Sequence, residues 1–294
     1  MELAKPLIIA VSGNSGSGKS KFVELLASIL GKKNTLIIHG DDYHKWARGA
    51  PEWDKFTHLN PKANNLDLAS YHLSLLKKGK TIKKNFYDHT KGTFTSLRKV
   101  SPKKFIIFEG LHSLFSKEIR TNIDFKIFID VNQKLNTHFK LHRDMSERGH
   151  SKEKILKSIK LRKKDYKKFI LTQKKFADLV IHKTPLIPLN ENKKETAVKY
   201  SFILSKKIDL SPIAKIFKTI CPNKISIRKT NNNQSITTKN ILEQKELNLL
   251  KKFTKETFGI KVENNIMSLS QLIVAYNLSH YGCQICKLKN KFKA

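Results

Sequence analysis

Residues Gly13-Asn14-Ser15-Gly16-Ser17-Gly18-Lys19-Ser20 decide the fold. They fit G-x-x-x-x-G-K-[S/T], and the chain on either side supplies the context that pattern needs. Upstream, Leu7–Ser12 is a continuous apolar run, the texture of a strand buried on both faces. Downstream, Phe22, Leu25, Leu26, Ile29 and Leu30 form a helical stripe over Lys19–Leu30, closed by Gly31. A strand that turns through glycines into a helix aims successive backbone N–H groups at one point, and the helix N-terminus favours an anion there. Gly13 to Ser20 are therefore expected to cradle nucleotide phosphates, with Lys19 reaching the β- and γ-phosphates and the Ser20 hydroxyl on Mg²⁺. A chance glycine–serine turn accounts for the letters but not for the flanking strand and helix.

The alternation continues outward. Thr35–His39 reads as a second strand, 66–77 as a helix, and Phe105–Phe108 and Phe125–Val131 as further strands. Residues 133–176 read as charged helix interrupted around Gly149, followed by a strand at Asp178–His182. Strands alternating with helices imply an α/β fold: a P-loop NTPase-type parallel sheet, flanked by helices and joined by right-handed crossovers. The texture changes after Pro185, so a P-loop domain over 1–184 and a smaller α/β extension over 185–294 are expected. Within the extension, Tyr200–Ser205 and Asn223–Arg228 read as strands and Ser211-Pro212 as a helix start. Asn231–Lys239 reads as a polar loop, and Ile241–Phe258 and Ser268–Tyr281 as helices.

The chain has 294 residues and a formal net charge of +34, with 58 Lys and Arg against 24 Asp and Glu. Such an excess invites a nucleic-acid reading. Its distribution argues against one: 38 basic and 17 acidic residues lie in 1–184, and 20 and 7 in 185–294. A charge so evenly spread, without gathered aromatics, is a solvated surface rather than a binding patch. No apolar run reaches membrane-span length. The short run Leu7–Val11, which passes straight into glycines, does not resemble a secretory leader, so the cytoplasm is the expected compartment. The expected partners are small molecules, with neither nucleic acid nor membrane; a homo-oligomer is compatible with the sequence.

Three further stretches carry chemistry. Gly40-Asp41-Asp42-Tyr43-His44 follows the second strand. Ligands of open parallel sheets bind beyond the strands' carboxyl ends, so a carboxylate here faces the transferring phosphate and could take a proton from an attacking hydroxyl. An Asp pair capping the next turn is an equal reading on position alone. Phe105-Ile-Ile-Phe-Glu109-Gly110 ends another strand with an acid suited to holding Mg²⁺, directly or through its waters. Arg143 and Arg148 flank the break at Gly149, where arginines on a closing segment can clamp phosphate.

Together with His39–Arg48, Thr57–Asn65, Tyr87-Asp-His-Thr-Lys-Gly92, Glu109-Gly-Leu-His112, His142–Ser151, Arg162–Tyr166 and Phe176–Ile181, these stretches resemble the phosphoribulokinase/uridine kinase family. The details are most similar to its plant and cyanobacterial phosphoribulokinase branch. The resemblance spans roughly 7–183. It implies an ATP- and Mg²⁺-dependent kinase with Asp41 as base, Asp42 as its supporting neighbour, and Lys19 and Glu109 completing the catalytic set. It also implies acceptor contacts by His44, Arg48, Tyr87, His89, Lys140, Arg143 and Arg148, with His58 and Asn64 on substrate-side loops. The implied acceptor is D-ribulose 5-phosphate; uridine, cytidine or another pentose-containing acceptor is the alternative. Photosynthetic members carry redox-active cysteines where this chain has Ser17 and His39, so thiol switching of that kind is not expected. The pair Cys283 and Cys286 lacks a second Cys/His pair, and incidental thiols are the simpler reading.

Overall fold

The computed structural model describes residues 5–205, 210–239 and 243–258, together with 273, 274, 276 and 278. The expected helix at 268–281 therefore lies almost wholly outside the described residues, and Cys283 and Cys286 lie outside them entirely.

The first strand, β1 (Leu7–Gly13), alternates its burial between two cores. Ile9 and Val11 pack on one face with Phe22, Val23 and Leu26 of α1 (Lys19–Leu30). Ile8 and Ala10 pack on the other with Leu73 and Leu76 of α2 (Leu66–Lys77). Burial on both faces explains why β1 is continuously apolar rather than alternating. Truncating a side chain such as Leu26, fully buried, costs about 2–5 kcal/mol.

Next along the chain come β2 (Thr35–His39) and four short strands, β3 (Ile82–Lys84), β4 (Tyr87–Asp88), β5 (Thr93–Phe94) and β6 (Arg98–Val100). β3 pairs with β6 and β4 with β5, forming two antiparallel ribbons outside the main sheet. The main sheet resumes with β7 (Phe105–Gly110), and α3 (Lys117–Thr121) leads to β8 (Phe125–Val131). The long charged segment folds as α4 (Gln133–Ser146) and α5 (Lys152–Asp165), then tapers through irregular helical turns to Phe176. Gly149, at φ +64°, lies in the break between the two helices.

β9 (Leu179–Pro185) closes the parallel part of the sheet, in the order β2-β7-β1-β8-β9. The sheet continues past residue 185 through β10 (Val198–Ser205), β12 (Asn233–Thr238) and β11 (Ile225–Lys229), all antiparallel. α6 (Ser211–Ile220) and α7 (Gln244–Phe258) complete the described elements. The polar stretch expected to be a loop at 231–239 is thus corrected to a central strand. Gln234, Ile236 and Thr238 alternate inward, and alternation with polar residues is what a strand covered on one face requires. Among the described residues, no helix is long and apolar enough to cross a membrane.

Candidate active site

The loop Gly13–Ser20 leaves the carboxyl end of β1, the middle strand of the parallel part of the sheet, and is braced from three sides. A Cβ at Gly13 would come within 2.5 Å of the Ile129 carbonyl oxygen on β8, so only glycine allows the turn at that point. Asn136 of α4 receives a hydrogen bond from Asn14 Nδ2 at 2.9 Å and donates one to the Ser15 carbonyl at 3.1 Å. Lys183, near the end of β9, donates from Nζ to the Ser17 carbonyl at 3.1 Å. Lys19 folds back within the loop and donates to the Asn14 carbonyl at 2.8 Å. Burial lowers the Lys19 ammonium from its ordinary value, opposed by the negative charges of Glu109 and Asp41. Lys183 is pushed down to about 8 by burial and by the like charges of Lys19 and Lys21. Ser20, which opens α1, is exposed.

The two aspartates after β2 have different surroundings. Asp42 is buried, accepts the backbone N–H of Tyr87 at 2.7 Å, and is ion-paired with the buried Lys84, whose Nζ lies 3.7 Å from the Phe86 ring centroid. Asp41 is 38% exposed at its side chain and, among the described residues, has no Lys or Arg within ion-pair distance. Its Oδ1 lies 3.5 Å from His44 Nε2 and its Oδ2 3.5 Å from His89 Nε2. Burial would raise the Asp41 carboxyl, but the positive fields of His44, His89, Lys19 and His58 outweigh it and hold the group below the ordinary carboxylate value. Asp42 thus fixes the β3–β4 region, and Asp41 presents an ionised carboxylate.

Glu109, next to last in β7, holds its carboxylate 2.8 Å from His39 Nδ1. That hydrogen bond raises the His39 ring above its ordinary value against the opposing effect of burial. His39 is one of the two positions at which the resemblance implies a thiol in photosynthetic members. Ser17, at the other such position, is buried, and its Oγ has no hydrogen-bond partner.

A cavity opens beside Asp41, walled by His44, Asn64, Phe108, Leu111 and His112. His44 Nδ1 lies 2.7 Å from Asn64 Oδ1, which fixes its ring and leaves Nε2 toward Asp41. Tyr87 stands edge-on to His44 and His89, at ring-centroid distances of 5.7 and 5.0 Å. Arg48 ties this rim together: its guanidinium donates to the carbonyls of His89 at 2.5 Å and Thr90 at 3.5 Å, and its N–H donates to Gly92 at 2.7 Å. Its donors are therefore directed at the 88–92 turn, with the guanidinium exposed at the rim.

Lys140, Arg143 and Arg148 gather around one acid. Asp144 is 2% exposed, is ion-paired with Lys140, accepts Arg143 Nε at 2.8 Å, and lies 3.6 Å from Arg148 Nη1. Burial alone would raise Asp144, but the hydrogen bonds from Lys140 and Arg143 outweigh it and lower its pKa. The Arg162 guanidinium, lowered mainly by burial, also feels the Asp144 charge, so four cations face one carboxylate. The excess positive charge suits a polyanion.

The expected site residues thus fall into two groups on the carboxyl edge of the sheet. The phosphate loop, Glu109, Asp41, His44, Tyr87, His89 and Arg48 surround the loop and cavity, and Lys140, Arg143 and Arg148 form the cluster on α4 and the turn after it. Sequence reading passes over Asn136, Lys183 and Lys84. Each is remote in the chain from the group it braces, and no motif or periodicity marks it.

The fold is that of the P-loop kinases. A phosphoribulokinase structure from Rhodobacter spheroides superposes with a TM-score of 0.64 at 19% identity, covering 93% of this chain and 99% of that one. Among curated relatives, the phosphoribulokinase of Synechocystis sp. is 39% identical over 184 residues, which is 63% of this chain and 55% of the relative. A uridine kinase from Ligilactobacillus salivarius is 34% identical over 181 residues, 60% of this chain and 85% of the relative. The chain spans about half the length of the curated phosphoribulokinases it matches. The profile of the phosphoribulokinase / uridine kinase family matches residues 8–189, and the protein belongs to that family.

Proposed function

We propose that the protein is an ATP-dependent kinase that phosphorylates the hydroxyl of a sugar phosphate, D-ribulose 5-phosphate giving the 1,5-bisphosphate, in the cytoplasm. The observation that carries this reading is the state of Asp41: an ionised carboxylate, unclaimed by any described Lys or Arg, in the wall of a cavity it shares with His44 and His112. In the reaction, Asp41 takes the proton of the acceptor hydroxyl as the hydroxyl oxygen attacks the γ-phosphorus and the bond from that phosphorus to the β–γ bridging oxygen breaks, releasing ADP. His44 and His89 hold the carboxylate from both sides and favour its ionised form. Lys19 balances charge on the transferring group, and the Asp144 cluster screens the remaining phosphate charge.

The site's oxygen donors fit Mg²⁺: the exposed Ser20 hydroxyl, and the Glu109 carboxylate steadied by His39. Among the described residues there is no cluster of three or more His, Cys, Asp or Glu side chains able to hold a metal alone. That suits a cation bound mainly by phosphates and water. When bound, Mg²⁺ supplies Lewis-acid neutralisation of the β- and γ-phosphate oxygens.

The alternative is a nucleoside acceptor, supported by the similarity to a uridine kinase over most of that protein's length. Arg48 separates the two readings. The Arg48 guanidinium gives two bonds to the His89 and Thr90 carbonyls and keeps further N–H donors that suit phosphate oxygens at the exposed rim; losing such a contact costs roughly tenfold to a hundredfold in kcat/KM. Arg48→Ala is expected to lower kcat/KM for ribulose 5-phosphate by that factor, with the KM for ATP unchanged and turnover of uridine little affected. A wild-type preference for uridine, unaltered by the substitution, would transfer the assignment to a nucleoside kinase.

A further inference from the structure

His112 follows the β7 terminus by two residues and is 5% exposed. It lines the cavity beside Asp41, yet among the described residues neither of its ring nitrogens has a hydrogen-bond partner. The backbone of His58 and Asn60 faces the ring without completing a hydrogen bond to it. Buried polar atoms are nearly always satisfied, and two unsatisfied nitrogens on one ring in a cavity wall mark a place where a polar ligand completes the structure. The other polar groups of this wall are engaged. His44 pairs with Asn64 and Asp41, and Asn64 Nδ2 donates to the Asn60 carbonyl at 3.0 Å.

Burial holds the His112 imidazole down at about 4, so at neutral pH it is uncharged. A neutral imidazole has one N–H donor and one lone-pair acceptor. Either nitrogen suits a hydroxyl, which can accept from the N–H or donate to the lone pair, whereas an uncharged ring is a poor match for a phosphate, which is recognised by cations.

We propose that His112 binds a secondary hydroxyl of the acceptor's sugar, and so selects a polyol and turns its reacting hydroxyl toward Asp41. The proposal rests on the kinase reading but not on which pentose is the acceptor. A site built to pair a hydroxyl rejects the analogue lacking it, because its own polar atoms are then left unpaired.

The test uses the full chain and whichever member of a panel of pentose phosphates and pentose nucleosides wild type phosphorylates best. That acceptor is compared with its monodeoxy analogues in wild type, His112→Phe and His112→Gln. His112→Phe is expected to raise the acceptor KM roughly ten- to hundredfold while the ATP KM stays within about twofold. For one deoxy analogue, the substitution should cost almost nothing, because the group His112 holds is already missing. His112→Gln, which keeps a donor and an acceptor, should recover part of the loss. Because Phe removes two unpaired buried nitrogens, the melting temperature should not fall.

An equal penalty for His112→Phe with the parent acceptor and every deoxy analogue would overturn the proposal. So would a fall in melting temperature with unchanged acceptor KM, which would make His112 a structural histidine satisfied by water. Absence of ADP release from wild type with every acceptor would instead refute the kinase reading, and the His112 assignment with it.

Discussion

Asp41 and Asp42 are adjacent in sequence, and exchanging each for Asn should give opposite outcomes. At Asp42 the substitution removes one partner of an ion pair whose side chains are only 5% (Asp42) and 2% (Lys84) exposed. Burial already pulls the Lys84 ammonium down and Asp42 opposes it, so the substitution leaves a cation in a dry site without its counter-charge. Breaking a buried pair in this way costs about 3–5 kcal/mol, or a fall of roughly 6–10 °C in melting temperature for a chain of this size. At Asp41 the side chain is 38% exposed and its nearest polar neighbours are two imidazoles at 3.5 Å. Asn keeps the shape there, and stability should change by less than about 1 kcal/mol. Loss of the proton acceptor should instead lower kcat by roughly 10²–10⁴, with the KM for ATP nearly constant. Thermal melts and a coupled ADP-release assay on both variants separate the cases. A stable Asp42→Asn enzyme with lost turnover, beside a destabilised Asp41→Asn enzyme with turnover intact, would refute the division of labour.

Lys19→Ala should abolish measurable turnover while leaving the melting temperature within about 3 °C, since the ammonium's task is to stabilise charge on the moving phosphoryl group; near-wild-type activity would contradict this. The Asp144 pKa lies below its unfolded value, so its contribution to stability is complete above about pH 4 and is lost as pH falls through the folded value. Denaturant melts of wild type and Asp144→Asn should therefore differ by about 3 kcal/mol or more from pH 8 to pH 5 and converge at lower pH; a gap that narrowed above pH 6 would show another group to be responsible. Mild oxidation should leave activity within about twofold, because Ser17 and His39 occupy the thiol positions and Cys221 is buried, with its thiol pushed up to about 12. Reversible inactivation by a disulfide-forming reagent would contradict that expectation.

The parallel core was legible because each of its elements carries a local signature. β1 is apolar throughout, α1 carries a stripe ended by Gly31, and β2 and β8 have the bounds their β-branched and aromatic residues suggest. β12 was not legible: Asn233, Gln234, Ser235, Thr237 and Thr238 read as turn chemistry, and only pairing between β10 and β11 makes them a strand. Of the site, the residues that bear phosphate chemistry were visible because glycine, lysine and aspartate at fixed spacing have a mechanism behind them. Which of two adjacent aspartates is free was not visible, since it depends on Lys84, forty-two residues further on. Nor was the engagement of Arg48 with the 88–92 turn, which only the folded ribbon β4–β5 brings within reach.

The most direct test of the central claim is to incubate the purified protein with ATP, Mg²⁺ and ribulose 5-phosphate and follow the products by ³¹P NMR. The account predicts one mole of ADP for each mole of a new C1 phosphomonoester, with Asp41→Asn giving neither. ADP without the bisphosphate, or the bisphosphate formed undiminished by Asp41→Asn, would contradict it.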